Sequence, residues 1–251
     1  MKVGGAQEGP AGAVMGRTAD KLMPVLARAP APLQLLPSAN YCDGAPWLTI
    51  EGEGEGGSDL KLPQQRDPFD EIYLNKDLWW RLYEADIIDD DKEIIDNNWS
   101  EYFRMIDGPV RKFIHKLSQV KYHNNTYVFY GHKVNSDGRL IWKKTTLTYH
   151  KDTHEWDKKL PNNYRRLPLP FSRSKLLKLI SSATPGDGTV PIESLAVICR
   201  FVGLKSALAT DVDHQGAYNV DSLMDILNRP AVAFTLRALV KMVQEVSSDA
   251  K

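Results

Sequence analysis

Two residues in this chain stand where an acid–base relay could be built. Asp187 lies between two glycines in Gly186-Asp187-Gly188-Thr189-Val190-Pro191, and His214 sits inside Asp211-Val212-Asp213-His214-Gln215-Gly216-Ala217-Tyr218-Asn219. Flanking glycines free the backbone to turn sharply and hold a carboxylate at the tip of a loop. An imidazole titrates near neutral pH, and a carboxylate beside it fixes the tautomer and stabilises the imidazolium. The chemistry such a pair supports is activation of a hydroxyl nucleophile. Each residue also has a plainer use. Asp187 could cap the amides of its own turn, and His214 could bond Asp211 or Asp213. Asp211, Asp213 and His214 are also metal-ligand types, although no fourth ligand at a recognisable spacing accompanies them. His115, His123, His132, His150 and His154 show no companion pattern.

Acid before histidine, each on a loop after an expected strand, matches the α/β-hydrolase order of Ser, then Asp or Glu, then His. The segment Gly186–Pro191 resembles the acid motif of lipases and acyltransferases similar to lecithin:cholesterol acyltransferase, and Asp213-His214-Gln215 resembles their histidine loop. The stretch Leu26-Ala27-Arg28-Ala29-Pro30-Ala31-Pro32-Leu33-Gln34-Leu35-Leu36-Pro37 resembles a segment of bacterial lipase-like α/β hydrolases, including type VI secretion phospholipase effectors. There the segment lies downstream of the nucleophile, in the cap. The resemblance runs from Val14 onward, with only two sharp motifs. It implies Asp187 as triad acid and His214 as triad base, a lipid or other ester as substrate, no cofactor, and export by a type VI system.

One part of that family's pattern is missing. No Gly-x-Ser-x-Gly elbow occurs in the 251 residues, so neither a nucleophile nor its oxyanion donor is present in these residues. Ser136 precedes Asp137-Gly138 in an expected hairpin turn and Ser194 follows the acid, so neither is read as the nucleophile. The expected fold class is α/β: the C-terminal strands and helices of an α/β hydrolase, with a helical cap and a β-hairpin insertion. The elbow and first strands would lie N-terminal to Met1 in a full-length relative. Expected activity of the chain as it stands is weak or none. The partners expected are a lipid or ester, a membrane surface, and an N-terminal half or secretion-system protein. The rival reading is a non-catalytic lipid- or protein-binding remnant.

The elements that must position the two loops follow from periodicity. Ten of the 17 glycines and six of the 15 prolines fall in the first 57 residues, so residues 1–58 read as loop with one helix near Ala19–Ala29 and the start of a cap. Residues 59–122 read as the helical cap. Phe69, Ile72, Tyr73, Trp79, Trp80 and Tyr83 recur at helical spacings, with further helices over Lys92–Ile106 and Pro109–Val120 separated by a Gly108-Pro109 break. Residues 123–251 read as hydrolase core. Strands are expected at Thr126–Tyr130, Arg139–Trp142, Thr145–Tyr149 and Gly203–Thr210, with a turn at Asn135–Gly138 and a connection over Leu160–Ser174. A closing helix over Pro230–Val246 would pack Val232, Leu236, Leu239, Val243 and Val246.

Composition bounds the rest. With 42% hydrophobic and 25% charged residues the chain has ordinary globular usage. Lys+Arg and Asp+Glu number 32 each, and a net charge of zero argues against a nucleic-acid partner. That zero is a cancellation: residues 59–107 carry 14 acids and 6 bases, a balance of −8, while residues 108–178 carry 16 bases and 4 acids, +12. The two stretches could attract each other in the fold, or the basic one could face anionic lipid. Cys42 and Cys199 are too few for a disulfide framework. With no leader-like apolar region and no spanning run, the chain is expected to be cytoplasmic as synthesised.

Overall fold

A computed structural model describes residues 19–85, 92–119, 121–146, 149–150, 155–156, 163–170, 173–219 and 228–249. Its helices are α1 (Ala19–Arg28), α2 (Pro30–Leu33), α3 (Lys92–Met105), α4 (Arg111–Ser118), α5 (Ile192–Leu195) and α6 (Pro230–Asp249). Its strands are β1 (Leu48–Ile50), β2 (Leu60–Leu62), β3 (Thr126–Gly131), β4 (Val134–Thr145), β5 (Tyr149–His150), β6 (Glu155–Trp156), β7 (Tyr164–Leu169), β8 (Arg173–Gly186) and β9 (Leu204–Thr210). A mixed sheet together with helices places the chain in the α/β class. It divides into two compact units that interleave in sequence. Met1–Ala39, Gly44–His115 and Arg139–Ser181 make the first, and Asn40–Asp43, Lys116–Gly138 and Ser182–Lys251 the second.

The first unit carries a sheet in the order β2-β1-β4-β8-β7. β1 pairs antiparallel with β2, Leu48 opposite Leu62, and parallel with β4, Ile50 opposite Trp142. Within the expected connection over Leu160–Ser174, Tyr164–Leu169 is a strand that pairs antiparallel with the start of β8, Pro168 opposite Ser174. β7 ends the sheet order, where a proline costs no ladder hydrogen bond on its outer side. Ile50, Tyr73, Tyr102, Ile106, Val110 and Leu177 are fully buried. Tyr102 stacks on Tyr83 with ring centroids 4.2 Å apart and donates its hydroxyl to the Tyr73 carbonyl at 2.8 Å. Tyr102 is therefore core.

The helical spacing from Phe69 to Tyr83 does not produce a helix. Only Phe69–Tyr73 winds, as a single π turn. The Asn75 side chain then accepts the amides of Asp77 and Leu78 at 3.1 and 2.8 Å, offering the backbone an alternative to helix continuation. The chain folds back so that the Leu82 amide reaches the Ile72 carbonyl. The expected break at Gly108-Pro109 is likewise a wider turn. Ile106–Val110 winds as a π turn between α3 and α4, with Pro109, which has no amide to donate, inside it.

In the second unit β3 and β9 form a parallel pair, Phe129 opposite Leu208 and Gly131 opposite Thr210. Residues 135–138 are not a hairpin turn but part of β4. Gly138 serves close approach rather than turning, since a Cβ there would lie 2.4 Å from Thr184 Cγ2. α6 buries a face other than the expected one. Ala231 and Ala238 are buried and Phe234 meets Phe129 edge-on at 6.4 Å, while Leu236, Leu239 and Val243 are 51%, 53% and 66% exposed. The expected segment Thr145–Tyr149 falls partly outside the described residues, and Val246's side chain and Val120 lie outside them as well.

Candidate active site

The second unit brings the ends of β3, β8 and β9 to one place. β3 closes on Gly131, where a Cβ would sit 2.3 Å from the Val212 carbonyl oxygen and 2.7 Å from Asp187 Cβ. Only a glycine lets the acid and histidine loops close over the strand end. β8 ends at Gly186, and Asp187 starts a tight turn in which its amide donates to the Val190 carbonyl at 3.2 Å. Gly188 adopts φ of +92°, a left-handed conformation that explains a glycine there. β9 ends at Thr210, whose hydroxyl donates to the Tyr130 carbonyl at 3.2 Å and whose carbonyl accepts the His132 amide at 3.1 Å. His132 turns its Nδ1 to the same carbonyl. The chain then brings the His214 amide to the Asp187 carbonyl at 2.7 Å, tying the two loops through their backbones.

The side chains meet as well. His214 Nδ1 lies 2.9 Å from Asp187 Oδ2. Asp187 is 7% exposed, while the His214 side chain is 48% exposed. Burial by itself would raise the Asp187 carboxyl's pKa. Hydrogen bonds from the Val190 amide, the His214 ring and the Thr189 amide outweigh it and hold the group below its ordinary value. Asp187 is therefore ionised at neutral pH and can only accept, so the proton of a neutral imidazole sits on Nδ1. Nε2 is left with a lone pair, and no bond to it is made among the described residues. Oδ1 accepts the amides of Thr189 and Val190 at 2.9 and 2.7 Å. The capping use and the pairing use of this aspartate thus coexist, one on each oxygen.

The other groups near His214 are differently engaged. Asp213 Oδ1 caps the amides of Gln215 and Gly216, so it does not hold the imidazole. Among the described residues no group of three or more His, Cys, Asp and Glu side chains is arranged to hold a metal ion, so Asp211, Asp213 and His214 do not converge as ligands. A cleft of about 320 Å³ beside the histidine loop is lined by Asp211, Val212, Asp213, Gly216, Asn228, Arg229 and Pro230. Ser136 and Gly131 belong to the same cluster; from sequence, Ser136 is considered only as a nucleophile and rejected, and Gly131 has no role. Gly131 carried a signal, a glycine ending a β-branched and aromatic run. Ser136 carried none, because its neighbours spelled a turn.

No protein-family profile matches the chain, and no curated protein does. Its fold is similar to a chain in the crystal structure of the Tle4–Tli4 complex, with a TM-score of 0.68 at 25% sequence identity. The match covers 95% of this chain and 50% of that one, so this chain spans about half the length of its structural neighbour. No helix among the described residues is long and apolar enough to cross a membrane.

Proposed function

We propose that this chain is the acid–base part of a serine-dependent lipase or esterase of the α/β-hydrolase class, acting on carboxylic esters of lipids, phospholipids included. The observation that carries the reading is the Asp187–His214 pair at 2.9 Å with Nε2 uncommitted on a half-exposed ring. In that role His214 takes the proton of a serine hydroxyl as it attacks the ester carbonyl and returns it to the leaving alcohol. It then deprotonates the water that releases the acid, while Asp187 holds the ring and balances its transient charge. The serine belongs to polypeptide beyond these 251 residues, a reading supported by the coverage of half the neighbour's chain. The resemblance to type VI secretion phospholipase effectors and the Tle4–Tli4 likeness together support an exported toxin-like lipase with a protein partner. The exposed apolar residues Leu236, Leu239 and Val240 on one face of α6 favour the second reading, a module that binds lipid or protein without turnover.

The test pairs ester hydrolysis with vesicle binding. The purified chain is assayed with short-chain nitrophenyl esters and phosphatidylcholine vesicles, alone and co-expressed with the polypeptide encoded immediately upstream. Hydrolysis by a product containing Gly-x-Ser-x-Gly that His214→Ala abolishes supports the first reading. Absence of hydrolysis there, or hydrolysis that survives His214→Ala, overturns it. Vesicle co-sedimentation unaffected by His214→Ala, without turnover, establishes the second.

A further inference from the structure

Ser136 is placed to act on the acid loop, not as a nucleophile. It is 3% exposed at the start of β4, where Val134 bridges to Asp187. Its hydroxyl accepts the Gly188 amide at 3.0 Å and donates to the Val190 carbonyl at 3.1 Å. Those two groups lie either side of the 188–190 bend, so one buried oxygen closes the turn from across the fold. The same Val190 carbonyl accepts the Asp187 amide, and the Val190 amide is one of the two that hold Asp187 Oδ1. Gly186 leaves no slack, since a Cβ there would lie 2.3 Å from Ser136 Oγ. Both hydroxyl functions are spent on backbone, so the oxygen has no donor proton free for ester attack.

We infer that Ser136 is a positioning residue for the acid–histidine pair, holding the 186–191 turn in the shape that engages Oδ1 with Thr189 and Val190 and presents Oδ2 to His214. This rests on the proposed role of that pair. Removing the hydroxyl leaves the Gly188 amide without its acceptor and the Val190 carbonyl with one donor in place of two, so the turn loosens around Asp187. The imidazole then loses its fixed acceptor and reverts toward the tautomer mixture of a free ring.

The experiment uses the whole chain labelled with ¹⁵N in histidine and glycine, and needs no turnover. In the unaltered protein His214 is expected as the Nδ1–H tautomer. In Ser136→Ala that preference is lost and the Gly188 amide exchanges with solvent about tenfold faster. Ser136→Cys, which keeps a donor at the position, restores part of the preference and gives the same information should the alanine variant fail to fold. A thermal melt shows that each variant is folded. Folded Ser136→Ala with its Nδ1–H tautomer intact overturns the Ser136 inference and leaves the pair standing. An unaltered protein whose His214 carries its proton on Nε2 overturns the pair itself, which Asp187→Asn reproduces as control.

Discussion

Arg111 and His214 each meet aspartate, with opposite results. In the first unit Arg111 bonds Asp67, Asp70 and Asp107 at 3.3, 3.1 and 3.0 Å and lies over the Phe69 ring at 5.1 Å. Its bond to Asp70, against the cost of burial and with help from Asp107, pushes an already permanent charge to bind its proton still harder. Three exposed carboxylates around one guanidinium make a brace. In the second unit a single buried carboxylate meets a half-exposed ring, and one ring nitrogen keeps its lone pair. The first cluster has more charge, but its guanidinium has no lone pair with which to take a proton. Closeness of opposite charges is common to both; the catalytic role proposed for the second pair rests on the lone pair that Nε2 keeps.

The largest test of that contrast is catalytic. In a form carrying the serine, His214→Ala is expected to lower kcat on the order of 10⁶-fold and Asp187→Asn on the order of 10⁴-fold, while Arg111→Met leaves kcat within about twofold. Steady-state ester hydrolysis measures all three, and a loss under about tenfold for Asp187→Asn would reduce that residue to a turn cap. Next is Gly131→Ala, which drives a methyl against the Val212 carbonyl. It should cost roughly 1–3 kcal/mol in urea denaturation. Arg111→Met should cost about 1 kcal/mol at low salt and less at high salt, because its partners are exposed. If its cost is independent of salt, packing on Phe69 rather than charge is the brace.

The pH dependence sharpens the same comparison. Asp187's carboxyl is held below its ordinary value in the fold, so the unfolded chain takes up its proton first as pH falls. Its contribution to stability is present above the unfolded pKa of about 3.9 and is lost as pH falls through the lower folded value. Asp187→Asn should remove that part of the acid-side slope in denaturation curves taken from pH 6 downward. An unchanged slope would show the carboxylate to be no better stabilised folded than unfolded.

Much of the site could be read before the fold. Gly186-Asp187-Gly188 and the polar run around His214 announce loops, and the aromatic and β-branched residues of Thr126–Tyr130 announce the strand below them. Asp137-Gly138 carries a local turn signal, whereas the constraint on Gly138 is Thr184, far along the chain. The same turn signal gives Ser136 no role, although it bonds two groups of the acid turn. The aromatic spacing from Phe69 to Tyr83 fits a helix, yet Asn75's side chain takes the amides that a helix would need.

The order of acid and histidine, the lack of a Gly-x-Ser-x-Gly segment and the approximate ends of most helices and several strands were settled by the sequence alone, since each depends on residues within a few positions. α6 shows where that reach stops. Ala231, Phe234, Thr235 and Ala238 share one helical face, and Leu236, Leu239, Val240 and Val243 share another. Both stripes have the same period, and hydropathy favours the second, yet the first is packed because its small alanines let the helix come close to its neighbours. Which oxygen of Asp187 meets His214 was likewise decided only when three strand ends met at Gly131. Hydrogen bonds act over about 3 Å, and only the tertiary fold brings residues tens of positions apart within that distance.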